Sequence, residues 1–294
     1  MTELKLIEAV ENFASVTHQF SEEELESTWK WRTFDANIRF AFFQTYEDLR
    51  TLAAQLISQR TSGSKMITTA QRALAQYHYA YRNLQIILYD ANEELLDSPP
   101  AKDEWPLRVI LGHIIGSERQ FFARIWFAVQ QYRQSTNDSD EPAEETREMT
   151  GEEVEEFVGS YEDFERTMNR LSLAGIIALY DSLHRRVLRE ITDIRGLELG
   201  APSLWWEGIP LPVEYRLHRL DSHLCQHTIQ VEKTLEALTA PPSEAQRLLR
   251  LIYAALAEVE GVIIGDWLLG QREQQELAAT IQQRVEEING ALER

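Results

Sequence analysis

The sequence predicts an all-α protein. Apolar residues recur at three- and four-residue spacing along almost the whole chain, and no segment shows the strict alternation of a strand. Gly (13) and Pro (9) are too sparse for a β-sandwich or barrel built on many tight turns. At 294 residues and 44% hydrophobic, the chain can bury a large core without disulfides or a structural metal, as one large domain or two small ones.

A first helix is expected over about 3–20, where Leu4, Ile7, Val10, Phe13 and Ala14 share a stripe. Ser21-Glu22-Glu23-Glu24 reads as a cap with an acidic first turn. An aromatic helix (Phe34, Phe40, Phe42, Phe43, Tyr46) is expected over 34–60 and ends in the turn residues Thr61-Ser62-Gly63-Ser64. The next, over 66–91, carries Leu74, Tyr77, Tyr81, Leu84 and Leu88 on one face, and Asp97-Ser98-Pro99-Pro100 breaks the chain after it. A fourth begins just after Trp105, where Pro106 suits a first helical turn, and runs to about 133. Residues 134–146 are polar and acidic and read as a solvated loop. Helices resume over 150–170 and 172–194. The stretch 196–212 holds Pro202, Trp205, Trp206, Gly208, Pro210 and Pro212. It is too irregular for a simple connection, and its adjacent tryptophans point to packing over another element. Helices over 213–239, 243–268 and 271–292 complete the chain, with Ala240-Pro241-Pro242 as the break between the first two.

Charge narrows the function classes. With 48 Asp+Glu against 29 Lys+Arg, the net charge of −19 works against binding nucleic acid or an anionic membrane. The acids gather in 134–153 and on polar helix faces, which makes the charge mainly a solubility feature. Apolar runs such as 174–179 are far too short to span a bilayer. The N-terminal residues lack a basic region followed by an apolar core, so no secretory signal is expected. The single cysteine, Cys225, fits a reducing compartment, and the expected location is cytoplasmic.

Of seven histidines, His223 and His227 stand four apart inside a well-patterned helix, which puts both rings on one face, one turn apart. Two imidazoles so placed can grip one zinc, nickel, iron or copper ion. The same spacing fits two histidines satisfied by backbone carbonyls in a packed core. Leu224 rather than Glu follows His223, so this is not the zinc-protease pattern with a built-in base. Cys225 should point off the pair's face and is expected as a small buried residue rather than a ligand. Gln230, three after His227, and Arg219, four before His223, share the pair's face. Gln230 is placed to hydrogen-bond to a ligand or metal-bound water, and Arg219 to meet an anionic substrate or form an exposed salt bridge. A third ligand must come from another helix, and His113, within an otherwise apolar run, is the best candidate. His18, His78, His184 and His218 read as structural or surface residues.

Two segments, Trp105-Pro-Leu-Arg-Val-Ile-Leu-Gly-His113-Ile-Ile-Gly-Ser-Glu118 and Tyr215-Arg-Leu-His-Arg-Leu-Asp-Ser-His223-Leu-Cys-Gln-His227-Thr-Ile-Gln230, resemble the DinB-like (DinB/YfiT) superfamily, whose members are described as metal-dependent enzymes. That family opens a helix with Trp, places a ligand histidine eight residues on and continues with a helical acid; a second helix carries His-x-x-x-His-x-x-Gln. Leu204-Trp-Trp-Glu-Gly208 is similar to the lead-in of some members. The resemblance covers roughly residues 66–240. It implies a four-helix bundle with one long crossover and a three-histidine site: His113, His223 and His227. It further implies a divalent ion, zinc or nickel foremost, that activates a low-molecular-weight thiol (mycothiol and bacillithiol are the family's) or water toward a small electrophilic substrate, by transfer, isomerisation or hydrolysis. The expected activity classes are a metal-dependent thiol S-transferase and a hydrolase. The alternatives on the same fold are a non-catalytic interaction or dimerisation protein and a small-ligand-binding module.

The expected organisation is an N-terminal helix pair over 1–64, a metal-binding bundle over 65–240, and a C-terminal helix pair over 241–294 packing on the bundle or on 1–64. A weak repeat bears on the first part. Glu23-Glu24-Leu25 precedes Trp29 as Glu93-Glu94-Leu95 precedes Trp105, and eight residues beyond each Trp stand Asn37 and His113. On that alignment the N-terminal pair is a degenerate, metal-free copy that the C-terminal pair completes. The expected partner is a small-molecule substrate, with a homodimer as a further option.

Overall fold

The computed structural model describes residues 5–63, 65–137 and 146–293. The helices are α1 (Leu6–Thr17), α2 (Glu22–Glu26), α3 (Ile38–Ser62), α4 (Thr69–Ile87), α5 (Leu107–Asn137), α6 (Gly151–Val158), α7 (Tyr161–Met168), α8 (Leu173–Glu190), α9 (Val213–Leu238), α10 (Glu244–Ile263) and α11 (Gln271–Leu292). The all-α class holds, with two small antiparallel hairpins added to it. Of the acidic stretch read as a loop, 134–137 continue α5, and 138–145 lie outside the described residues.

Both hairpins correct the expectation of no strand. β1 (Thr28–Trp31) pairs with β2 (Phe34–Asn37) through a two-residue turn in which Arg32 takes a positive φ of 57°. The aromatic helix expected from residue 34 therefore begins only at Ile38. Asn37 sets this boundary: its backbone is extended and its side-chain oxygen accepts the Phe40 N–H at 3.1 Å, an N-cap that fixes the first helical residue. β3 (Pro202–Leu204) pairs with β4 (Pro210–Pro212), bounded by prolines that cannot extend a ladder.

The helix expected over 150–170 is two short helices. Gly159 between them adopts φ 89°, and the Ser160 hydroxyl accepts the Asp163 N–H to start α7. At Ser21 the expected cap is present as a reciprocal capping box with Glu24.

The chain divides into two units. One contains the N-terminal residues through Ile67, Arg82–Ile86 and the residues from Ala240 onward; the other contains Thr68–Tyr81 and Ile87–Thr239. In the first, α10 packs along α3 and α11 along α1. Phe13 meets Phe42 edge to face at 5.1 Å, and Leu49, Leu56, Leu256 and Ile281 are buried in the same unit. The buried Arg284 donates to Thr45 Oγ1 at 2.6 Å and to Asp48 at 2.7 Å.

In the second unit α5 is the central element and packs against α6, α7, α8 and α9. The buried positions of α9 run Val213, Arg216, Leu217, Leu220, His223, Leu224, His227, Thr228, Val231, Thr234, the three-and-four spacing of a core-facing stripe. His223 and His227 thus occupy positions that periodicity assigns to the interior.

Candidate metal centre

The site lies where α5 crosses α9. Pro106, which has no N–H to donate, precedes α5 and accepts from Val109 and Ile110 through its carbonyl. The helix so started carries His113 in its second turn, facing α9. The ring nitrogens that His113, His223 and His227 can offer lie within 4.8 Å of one another. Nε2 of His113 is 3.2 Å from Nε2 of His223. The ring centroids are 4.5 Å apart for His113 and His227 and 4.4 Å for His223 and His227.

Around the three rings the surroundings are aromatic. Trp105 packs 5.4 Å from His113, and Phe121 stands perpendicular to His223 at 5.1 Å. Burial, followed by the neighbouring His227, His113 and Arg219, pushes His223 down to about 3. Burial and His227 also lower His113. Both rings are therefore neutral at ordinary pH, with a lone pair to give.

Gln230 accepts from Nδ1 of His227 at 2.9 Å. This places the ring proton on Nδ1 and leaves Nε2 as the free donor atom. Nδ1 of His223 is buried with no hydrogen-bond partner among the described residues. Arg219 is exposed, its guanidinium 5.7 Å from the Phe121 ring centroid. Arg216 is buried instead, and donates to Glu207 and to the carbonyls of Ser203 and Ile209 at 3.2 Å, tying the β3–β4 hairpin to α9. Cys225 points away from the triad as expected, but it is exposed rather than buried. Its thiol donates to Asp221 at 3.4 Å and is pushed up to about 11, by partial desolvation of the sulfur against the helix, although the residue as a whole is exposed, and by that carboxylate.

The remaining histidines lie elsewhere. His78 and His184 are buried and hydrogen-bonded to each other at 2.8 Å, with Tyr81 stacked on His184 at 3.8 Å. Beside them Glu118 accepts the hydroxyls of Tyr77 at 2.5 Å and Tyr180 at 2.7 Å, a fully buried junction of α4, α5 and α8. His18 sits with Nδ1 3.2 Å from the Ala14 carbonyl, and His218 is exposed.

A cleft of about 510 Å³ opens beside His113, between α5 and α7. Its floor is Gly112 and Gly116. A Cβ at Gly116 would stand 3.2 Å from Phe164, so the glycine is what lets α7 come this close. Trp105, Gln120, Tyr161 and Met168 line the walls. Phe121 and Arg124 were not singled out by spacing, and Trp206 was read only as packing over another element; the folded chain sets Phe121 against His223, Trp206 6.1 Å from Phe121, and Arg124 over Trp206.

No curated protein and no solved structure matches the chain. The sequence pattern of the DinB superfamily matches residues 76–231, a stretch that contains all three triad histidines. Since that span is just over half of the 294 residues, the chain belongs to the DinB superfamily.

Proposed function

We propose that the protein is a divalent-metal-dependent enzyme in which His113, His223 and His227 hold a zinc or nickel ion. The observation that carries this reading is the convergence of three imidazole nitrogens from two helices. The donor set fits the group. Two nitrogens bound at about 2.0–2.1 Å to one tetrahedral ion stand roughly 3.3 Å apart, close to the 3.2 Å between the His113 and His223 Nε2 atoms. Three imidazole ligands leave positions open, the arrangement of a catalytic rather than a closed structural site.

A bound divalent ion supplies Lewis-acid activation, lowering the pKa of a thiol or water into the neutral range. The chain does the rest. His223 and His113 stay unprotonated because burial disfavours their cations. Gln230 fixes the His227 tautomer. Trp105 packs against His113 and Phe121 against His223, which fixes the rings on the apolar side of the site. The 510 Å³ cleft beside His113 has the volume of a small-molecule site. The reaction class is transfer of a low-molecular-weight thiol to a small electrophile, or hydrolysis by water.

The test is conjugation of a model electrophile, 1-chloro-2,4-dinitrobenzene, by zinc- or nickel-loaded protein with a panel of thiols, alongside hydrolysis of a p-nitrophenyl ester. Turnover that requires the loaded protein and vanishes in His223→Ala supports an enzyme. No turnover with any thiol or with water, from protein that retains its metal, turns the reading toward a ligand-binding module.

A further inference from the structure

The edge of the triad on the Phe121 side is built of aromatic rings and guanidinium groups. Phe121 stands perpendicular to His223 at 5.1 Å, lies parallel to Trp205 at 5.3 Å, and stands 6.1 Å from Trp206. Trp205 is buried, whereas Trp206 is 59% exposed. Three arginines face these rings: Arg216 over Trp205 at 4.1 Å, Arg124 over Trp206 at 5.4 Å and Arg219 over Phe121 at 5.7 Å.

Their charges are unequally matched. Arg216 is consumed by Glu207 and two carbonyls. Arg124 donates to the Gln120 side chain at 2.5 Å, and a Glu148 oxygen stands 4.0 Å away; its Nε–H is buried with no acceptor among the described residues. Arg219, one turn before His223 on the same face, makes no hydrogen bond or ion pair through its guanidinium among the described residues. Glu207, which pairs with Arg216, also lies within electrostatic range of Arg219 and Arg124, but neither guanidinium makes a direct ion pair with it among the described residues. The exposed Arg219 guanidinium, with no hydrogen bond or ion pair among the described residues, beside the exposed Trp206 ring and the second cation Arg124, suits an incoming carboxylate attached to an apolar body. Gln120 joins this surface to the cleft, since it lines the cleft and accepts from Arg124.

We propose that Arg219 and Arg124, with Phe121 and Trp206, form an anion-recognising surface that holds the carboxylate of a small organic acid next to the histidine triad. The inference rests on the metal-enzyme reading for its statement that this acid is the substrate, and it names that substrate's class. The surface itself needs no metal.

The probes are 1-naphthoate and its uncharged counterpart 1-naphthamide, titrated calorimetrically into chelator-treated protein at low salt. The expected result is that naphthoate binds about tenfold tighter or more. That preference should fall toward unity in Arg219→Gln and be lost in the Arg219→Gln/Arg124→Gln double variant. Arg219 is exposed, so its single variant keeps the fold, which circular dichroism checks. Equal affinity for the two probes, binding of neither, or a preference that survives the double substitution overturns the proposal. Metal content of the same untreated sample separates the two readings. A naphthoate preference in protein that never retains metal keeps the surface and removes the enzyme, whereas retained metal without the preference removes the surface alone.

Discussion

Nδ1 of His227 lies 2.9 Å from Oε1 of Gln230, one turn further along α9. The amide oxygen can only accept, so the imidazole proton is held on Nδ1 and the Nε2 lone pair is left free. A hydrogen bond at the remote nitrogen both orients a ligand imidazole and raises its basicity. Gln230→Ala should weaken zinc binding by about 10- to 100-fold, while Gln230→Glu, which keeps an acceptor, should retain it. Competition against a chromophoric chelator measures both; unchanged affinity in Gln230→Ala would remove Gln230 from the site.

Glu118 gives a pH signature unrelated to metal. Burial raises its carboxyl from the ordinary 4.5 to about 8, although the Tyr77 and Tyr180 hydroxyls pull it down. Between those values the folded chain keeps a proton that the unfolded chain releases. The stabilisation is therefore fully present below about 4.5 and is lost as pH rises to about 8. Glu118→Gln should flatten this part of the stability curve, which amounts to a few kcal/mol in order of magnitude. Urea unfolding across that window compares the two proteins, and parallel curves would show that Glu118 does not hold the proton.

The paired tryptophans should separate cleanly in stability. Trp205 is 1% exposed, stacks on Phe121 and donates to Ser203 Oγ at 2.8 Å. Trp205→Ala should cost about 3–5 kcal/mol, the range for emptying a large buried ring. Trp206→Ala, at a 59% exposed position, should fall within about 1 kcal/mol of the parent. Thermal and denaturant unfolding read both, and similar losses would mean that Trp206 is also part of the core.

What was legible in the sequence follows how local each signal is. The four-residue spacing of His223 and His227 survives into the structure because α9 is continuous and its buried stripe has the helical period. The order of motifs in the chain paired His113 with them, and the crossing of α5 over α9 brings the rings together. The hairpins were invisible because strands of three and four residues carry too little alternation, and a single cap at Asn37 moves a helix start by four residues. The break at Gly159 depends on one positive φ inside an acidic, helix-favouring stretch. Glu118 was seen only as a helical acid. Its tyrosine partners arrive from α4 and α8, 41 and 62 residues away, and no spacing announces them.

The most direct test of the triad is metal analysis of protein purified without a histidine tag and extensively dialysed. We expect about one zinc or nickel ion per chain, and none in the His113→Ala/His223→Ala/His227→Ala variant, provided that circular dichroism shows the variant to be folded. A folded triple variant with the same metal content as the parent would contradict the account.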